Sequence, residues 1–156
     1  METIEKSIGI LNDLIEINND RVAGFAHAAQ ELQEKDLDLR VIFMKLRDQS
    51  RTNVHELGTA INKTGGEVEM GMSGSGAIHR MWLNVKAAFS GHDRKSVLEE
   101  CERGEDAIKK AYQAALEPKC GLSAEFTEIV QRQQEGIIAS HNQIKALRDD
   151  GVVSKE

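Results

Sequence analysis

The feature that most constrains this chain is an apolar stripe that recurs in alternating steps of three and four residues through four long segments. This spacing puts the apolar side chains on one face of an α-helix, and a helix with such a face must bury it against other helices. The segments are 3–34, 37–63, 94–116 and one that begins at Ser123. The pattern predicts an all-α four-helix bundle, with one domain over residues 1–148 and a polar tail at 149–156.

The breaks between the segments predict how the helices connect. The first two helices are separated by two or three residues and the last two by about five, so each pair is expected to form an antiparallel hairpin. Thr64-Gly65-Gly66 should end the second helix, and Asp93 and Ser123 should be the N-caps of the third and fourth. The nearly thirty residues between the hairpins include a predicted short helix at 77–89. Such a crossover is long enough to run back along the bundle, which is the connectivity of ferritin-like bundles.

Charge and composition exclude several classes of function. The chain carries 20 basic and 26 acidic residues, a net charge of −6, whereas nucleic-acid binding needs a basic surface. There is no basic and then apolar leader and no run of about 18 apolar residues, so we expect no membrane association and a cytoplasmic location. On one helix Cys101 and Cys120 would lie roughly 28 Å apart, beyond disulfide reach, which predicts reduced thiols.

Polar residues interrupt the apolar stripe at the same depth in all four helices. The core-facing positions near the helix mid-points are Asn18, Ser50, Asn53, Glu105 and Gln133. Burying one such group without a partner costs roughly 1–3 kcal/mol, so independent burial of all of them is unfavourable. We expect these side chains to meet in one hydrogen-bonded layer. Arg21, one turn after Asn18, would supply the counter-charge to Glu105.

This layer lies where ferritin-like di-iron proteins bind two metal ions. Those proteins use a Glu from each of two helices and a Glu-x-x-His pair from each of the other two. The corresponding positions here are Asn18, Ser50 with Asn53, Glu105, and Gln133 with Gly136. Because only Glu105 among them is a good metal ligand, we favour a polar layer that sets the register of the helices over a metal centre.

An off-register metal site is the alternative interpretation. A rotated or kinked helix could turn other ligands inward, and the candidates are Glu102, Glu105, Glu135, His141 and Glu56. Iron or manganese would suit such a set. Carboxylates off the apolar stripe are usually exposed, however, and a lone His at its edge is more often a hydrogen-bonded core residue than a ligand.

Several segments, spread over nearly the whole chain, resemble those of a known family. They are Leu11-Asn12-Asp13-Leu14-Ile15-Glu16, Asn19-Asp20-Arg21 with Gly24-Phe25, Gly74-Ser75-Gly76-Ala77 with His79-Arg80 and Trp82, the run from Leu98 to Asp106 with Ala111-Tyr112, and His141-Asn142 with Ile144. The chain thereby resembles a bacterial family of ferritin-like four-helix-bundle proteins, the domain of unknown function 2383 family. The resemblance implies a ferritin-like fold and no established activity, substrate or cofactor. A metal role for Glu102 and Glu105 would follow only by analogy with the wider superfamily.

Two functions are compatible with these features. The first is a non-catalytic ferritin-like bundle without a cofactor, which acts through protein–protein contacts or as a homo-oligomer; a link to stress physiology would rest on superfamily analogy alone. The second is a di-iron or di-manganese carboxylate protein, an oxidoreductase or an iron-handling protein, with a degenerate site. Ser50-Arg51-Thr52-Asn53 stands where the second function needs Glu-x-x-His, which favours the first.

Overall fold

The computed structural model describes residues 2–68 and 93–153, and within them the chain is helical without strands. The four long helices are α1 (Glu2–Gln30), α2 (Leu37–Lys63), α3 (Arg94–Ala115) and α4 (Ala124–Val153), with short 3-10 turns at Glu34–Asp36 and Pro118–Cys120. The predicted all-α class and its four-helix architecture are confirmed. The short helix predicted at 77–89 lies outside the described residues.

The bounds of α2 agree with those predicted from its glycine stop. Gly65 adopts a left-handed conformation with φ of 80°, which costs a glycine little because it has no Cβ. The Gly65 N–H donates to the Asn62 carbonyl at 3.1 Å and the Gly66 N–H to the Ile61 carbonyl at 3.2 Å. These two bonds form a Schellman motif, which satisfies carbonyls that the end of the helix would otherwise leave unpaired.

The ends of the other helices differ from the prediction in instructive ways. Helix α1 was expected to reach residue 34 but ends at Gln30, because the chain turns through the 3-10 segment to bury Asp36 against Arg94 at 3.3 Å. Helix α4 continues to Val153 although a polar tail was expected from Asp149. At Ser123 the carbonyl, rather than the predicted hydroxyl cap, takes part in the first turn: it accepts the backbone N–H groups of residues 126 and 127 at 3.1 and 3.0 Å.

The helices are arranged as two antiparallel hairpins. α1 packs against α2 and α3, and α4 packs against α3 and, less extensively, against α2. Residues from the N-terminal half of α1, the C-terminal halves of α2 and α3 and the N-terminal half of α4 share one apolar cluster. α1 and α4 therefore run in one direction and α2 and α3 in the other. The end of α2 and the start of α3 lie at opposite ends of the bundle, as the predicted crossover requires.

In the described part of the chain, the core consists of two apolar clusters. One contains Leu11, Leu57, Tyr112 and Val130, and the other contains Phe25, Phe43, Leu98 and Ile144. Burying each large apolar side chain contributes about 1.5–3 kcal/mol. Buried polar side chains of all four helices lie between the clusters. Within the described residues, no helix is long and apolar enough to cross a lipid bilayer.

Candidate functional site

The centre of the bundle holds a fully buried ion pair between α1 and α3. Arg21 is 1% exposed and Glu105 also 1%. The guanidinium donates from Nε to Glu105 Oε1 at 2.7 Å and from Nη2 to Glu105 Oε2 at 3.1 Å. This two-pronged geometry suits the planar fork of arginine, which lysine could not reproduce. It compensates two charges that would be very costly to bury singly.

The remaining N–H groups of Arg21 donate to α2 and α4. Nη1 donates to Gln49 Oε1 at 2.7 Å and to Ser50 Oγ at 2.8 Å, and Nη2 donates to Ser140 Oγ at 2.9 Å. The Ser140 hydroxyl in turn donates to Glu105 Oε2 at 2.6 Å. One side chain of α1 is thus hydrogen-bonded to each of the other three helices. A buried charge held in this way sets the depth and rotation of all four helices relative to each other.

A second group of polar side chains continues the layer from Ser50. The Ser50 hydroxyl and the Asn53 side-chain amide both donate to Asn18 Oδ1, at 2.9 and 3.2 Å. Asn18 Nδ2 donates to the Tyr112 hydroxyl at 2.9 Å, and that hydroxyl donates to Gln133 Oε1 at 2.7 Å. Every one of these side chains is buried. The layer is therefore well satisfied, as the energetic cost of buried polar groups demands.

The structure brings together the six residues that the interrupted stripe singled out: Asn18, Arg21, Ser50, Asn53, Glu105 and Gln133. Sequence reasoning missed the roles of Gln49, Tyr112 and Ser140. Tyr112 reads as one more apolar stripe residue, since periodicity takes no account of its hydroxyl. Gln49 lies beside the stripe, and no sequence signal shows that its side chain reaches inward.

Glu56 connects the layer to the surface between α2 and α4. Its carboxylate accepts Gln133 Nε2 at 3.1 Å and Arg132 Nη1 at 2.8 Å. Burial raises the pKa of Glu56, but the hydrogen bonds from Arg132 and Gln133 outweigh it, so the net pKa lies below its ordinary value. Glu56 therefore stays charged at neutral pH.

Two weakly acidic side chains of the core, Cys101 and Tyr112, are held in their neutral forms. Burial raises the pKa of the Cys101 thiol far above its usual range, and the nearby carboxylates of Glu105 and Glu100 raise it further. Burial likewise raises the pKa of Tyr112, which outweighs the lowering by the hydrogen bond from Asn18. A thiol without its thiolate is a poor nucleophile, so Cys101 is a packing residue. Cys101 and Cys120 are both free thiols.

The five metal-ligand candidates do not form one site. Glu135 is exposed, Glu56 pairs with Arg132, and Glu102 forms an ion pair with Arg148. His141 Nε2 lies 2.5 Å from Asp106 Oδ1, and Glu105 is taken by Arg21. Among residues 2–68 and 93–153, no three His, Cys, Asp or Glu side chains come together in a way that could hold a metal ion. The reason is helical phase, because Glu105 points to the centre while Glu102 and Glu135 project from other faces of their helices.

A comparison with models of protein families identifies the family of this chain. The model of a domain of unknown function, DUF2383, matches residues 6–118. The chain belongs to the DUF2383 family. The match includes α1 from residue 6 onwards and all of α2 and α3, and it ends before α4, so the resemblance at His141-Asn142 lies outside it. No curated protein matches the chain.

The family match has a consequence for the layer. Arg21 and Glu105 lie inside the matched region, whereas Ser140 and Gln133 lie on α4, beyond its end. The ion pair is therefore formed within the DUF2383 region, and α4 completes the hydrogen bonding around it.

The residues of this member of the DUF2383 family do not fit a di-metal centre at the bundle mid-point. The positions matched from the sequence to a di-iron site hold amides, a hydroxyl and a glycine, and Glu105 is the one carboxylate among them. Arg21 puts a positive charge next to it at 2.7 Å. A cation at this place would have to displace the guanidinium and would find no second carboxylate, so we derive no metal chemistry from it.

Gly136 on α4 makes room for Gln49, which predicts an unusual response to alanine. A Cβ at Gly136 would lie 2.8 Å from Gln49 Nε2, whereas a Cβ at Gly9 on α1 would have no heavy atom within 4 Å. Alanine in a helix is worth about 0.5–1 kcal/mol over glycine. We expect Gly9→Ala to raise the free energy of unfolding by that amount. Gly136→Ala should instead lower the free energy of unfolding by roughly 1 kcal/mol, because it displaces Gln49 from its hydrogen bond with the charged Arg21.

Urea unfolding of the two glycine variants measures this difference. Gly9→Ala is the control for the helix-propensity gain, which both substitutions share. Equal stabilisation by the two substitutions would contradict the close packing of Gln49 against Gly136.

Proposed function

We propose that this protein is a non-catalytic helical bundle on a ferritin-like scaffold, which acts through contacts with proteins, including other copies of itself. The observation that carries the proposal is the position of Arg21. Its guanidinium takes the place of a central cation and is paired with Glu105, the one good metal ligand among the central positions, while Ser50 and Ser140 accept two more of its N–H groups.

The charged side chains around the layer support the same proposal. Glu56, Glu102 and His141 are each engaged by a partner of their own, so they act as ion-pair or hydrogen-bond groups. A general acid or base needs a pKa near neutrality and access to a substrate. The raised pKa of Cys101 and its burial remove this core thiol from such a role.

An exposed apolar pair on α2 supports a role in protein contacts. Leu37 and Val41 lie one helical turn apart and are 44% and 73% exposed. Large exposed apolar side chains that lie next to each other are a feature of interaction surfaces.

Metal analysis of the full chain tests the proposal. After incubation with Fe(II) without oxygen, or with Mn(II), and gel filtration, we expect no stoichiometric metal. The alternative function, a di-iron or di-manganese protein, requires about two ions per chain. Sedimentation of the same samples measures self-association directly.

Two variants make the metal result decisive. Glu105→Gln keeps the shape and the hydrogen-bonding capacity of the side chain but removes the one central carboxylate, and Glu135→Gln does the same at an exposed candidate. Two metal ions per chain that are lost in Glu105→Gln and retained in Glu135→Gln would overturn the proposal. Weak binding that Glu105→Gln leaves unchanged would be surface binding and would support it.

A further inference from the structure

A groove on the surface of the bundle lies between the C-terminal half of α2 and the N-terminal half of α4. Of the helix pairs that are neighbours in the bundle, α2 and α4 have the least contact with each other. The apolar part of the groove is formed by Ala60, Phe126 and Ile129, and its titratable side chains are His55, Glu56, Lys63, Glu125 and Arg132. The Glu56 side chain is 29% exposed, so it is accessible from the groove.

An unbroken chain of hydrogen bonds joins Glu56 to the central ion pair. From the inside outwards, the donor and acceptor pairs are Arg21 Nη1 to Ser50 Oγ (2.8 Å), Ser50 Oγ to Asn18 Oδ1 (2.9 Å), Asn18 Nδ2 to the Tyr112 hydroxyl (2.9 Å), the Tyr112 hydroxyl to Gln133 Oε1 (2.7 Å), and Gln133 Nε2 to Glu56 Oε1 (3.1 Å). Every bond donates in the same direction. The chain therefore begins at a buried cation and ends at an anion in the groove.

This common direction has a physical consequence. A hydroxyl or amide that accepts a hydrogen bond becomes a better donor in the next one, so aligned bonds strengthen each other, most of all in a low-dielectric interior. Asn18 and Gln133 each accept at the amide oxygen and donate from the amide nitrogen, so neither can rotate its amide without breaking both bonds. The aligned arrangement is the one that both ends stabilise, because it points from positive to negative charge.

We infer that Glu56 couples the groove to the core. Through the chain of hydrogen bonds that ends at Glu56, a change of charge in the α2–α4 groove alters the hydrogen bonding of the buried Arg21–Glu105 pair. Removing the negative charge of Glu56 weakens its hydrogen bond with Gln133. The bonds further inward, beginning with that of Tyr112, weaken in turn. The other titratable groups that line the groove with Glu56 are His55 and Lys63 on its own helix and Glu125 and Arg132 on α4. This inference concerns communication between groove and core, and it does not depend on whether the protein is an enzyme.

The chain offers a selective probe at two points of the path. Tyr112 is the sole tyrosine of the sequence, so 3-fluorotyrosine gives one ¹⁹F signal from the middle of the path. Arg21 is the one buried arginine of the described part of the chain, and ¹⁵N-arginine labelling reports its Nε–H at the inner end. We expect Glu56→Gln in the full chain to shift both signals.

Two further variants distinguish coupling along this path from general effects of substitution. Glu125→Gln removes the same charge from the same groove without touching the path, so it should shift both signals less than Glu56→Gln does. In a Tyr112→Phe background the path is cut, and Glu56→Gln should no longer move the Arg21 signal. The inference is overturned if the Arg21 signal does not respond to Glu56→Gln, if Glu125→Gln shifts it equally, or if the response survives Tyr112→Phe.

Discussion

Arg21→Met is expected to lower the free energy of unfolding by about 3–5 kcal/mol, measured by urea denaturation of the full chain. Methionine has a similar volume but carries no charge, so the substitution leaves Glu105 buried at 1% exposure without its counter-charge. It also leaves Gln49 Oε1, which accepts from Arg21 at 2.7 Å, without that donor. A loss of this size is a large part of the stability of an ordinary domain.

A matched control and a double variant show where the loss comes from. Arg51→Met makes the same chemical change at a side chain that is 60% exposed and pairs with Asp48 at 3.8 Å, so it should cost less than about 1 kcal/mol. Adding Glu105→Met to Arg21→Met removes the stranded charge and should recover part of the stability. If Arg21→Met costs no more than Arg51→Met, or if the double variant loses the sum of both single effects, the buried pair is not the central constraint described here.

Asn18→Leu has the second-largest expected effect, a loss of about 2–4 kcal/mol. Asn18 Oδ1 is the acceptor for both Ser50 and Asn53, and its amide nitrogen donates to the Tyr112 hydroxyl. Leucine fills the space but leaves the Ser50 hydroxyl and the Asn53 amide buried without this acceptor. Each group that stays unsatisfied costs roughly 1–3 kcal/mol. Urea unfolding measures the loss, and the ultraviolet absorbance of the single tyrosine reports the change around Tyr112.

The adjacent residue provides the control for this prediction. Asn19→Leu has the same effect on intrinsic helix propensity, but Asn19 is only partly buried and is not part of the layer. We expect it to change stability by no more than about 0.5 kcal/mol. Similar losses at the two positions would mean that the cost comes from the helix and not from the layer.

The location of the polar layer followed from sequence because burial has a period in a helix. Asn18, Ser50 and Glu105 stand at stripe positions where the rule for a bundle helix requires apolar side chains. Three such exceptions at one depth are explained most simply by contact with each other. The charge of Glu105 then required a cation nearby, and Arg21 stands beside the stripe, one turn after Asn18.

Helix ends were predictable where local chemistry alone decides them. Gly65 can take the left-handed conformation that closes α2, and this preference is a property of the residue. The end of α1 was placed four residues too late, because Leu32 to Glu34 are compatible with a helix by propensity. What ends α1 is the need to turn so that Asp36 reaches Arg94, a contact between residues far apart in sequence.

The sequence by itself determined the helical class, the hairpin connectivity and the depth of the polar layer, because these depend on periodicity and on local stop signals. Only the tertiary structure decided which side chains complete the layer and which hydrogen bonds they form. Gln49 reaches inward because Gly136 on another helix leaves room for it, and the Tyr112 hydroxyl joins Asn18 to Gln133 across three helices. The metal candidates were separated in the same way, since whether carboxylates converge depends on the relative rotation of packed helices. The packing of all four helices around Arg21 sets that rotation, and no single helix encodes it.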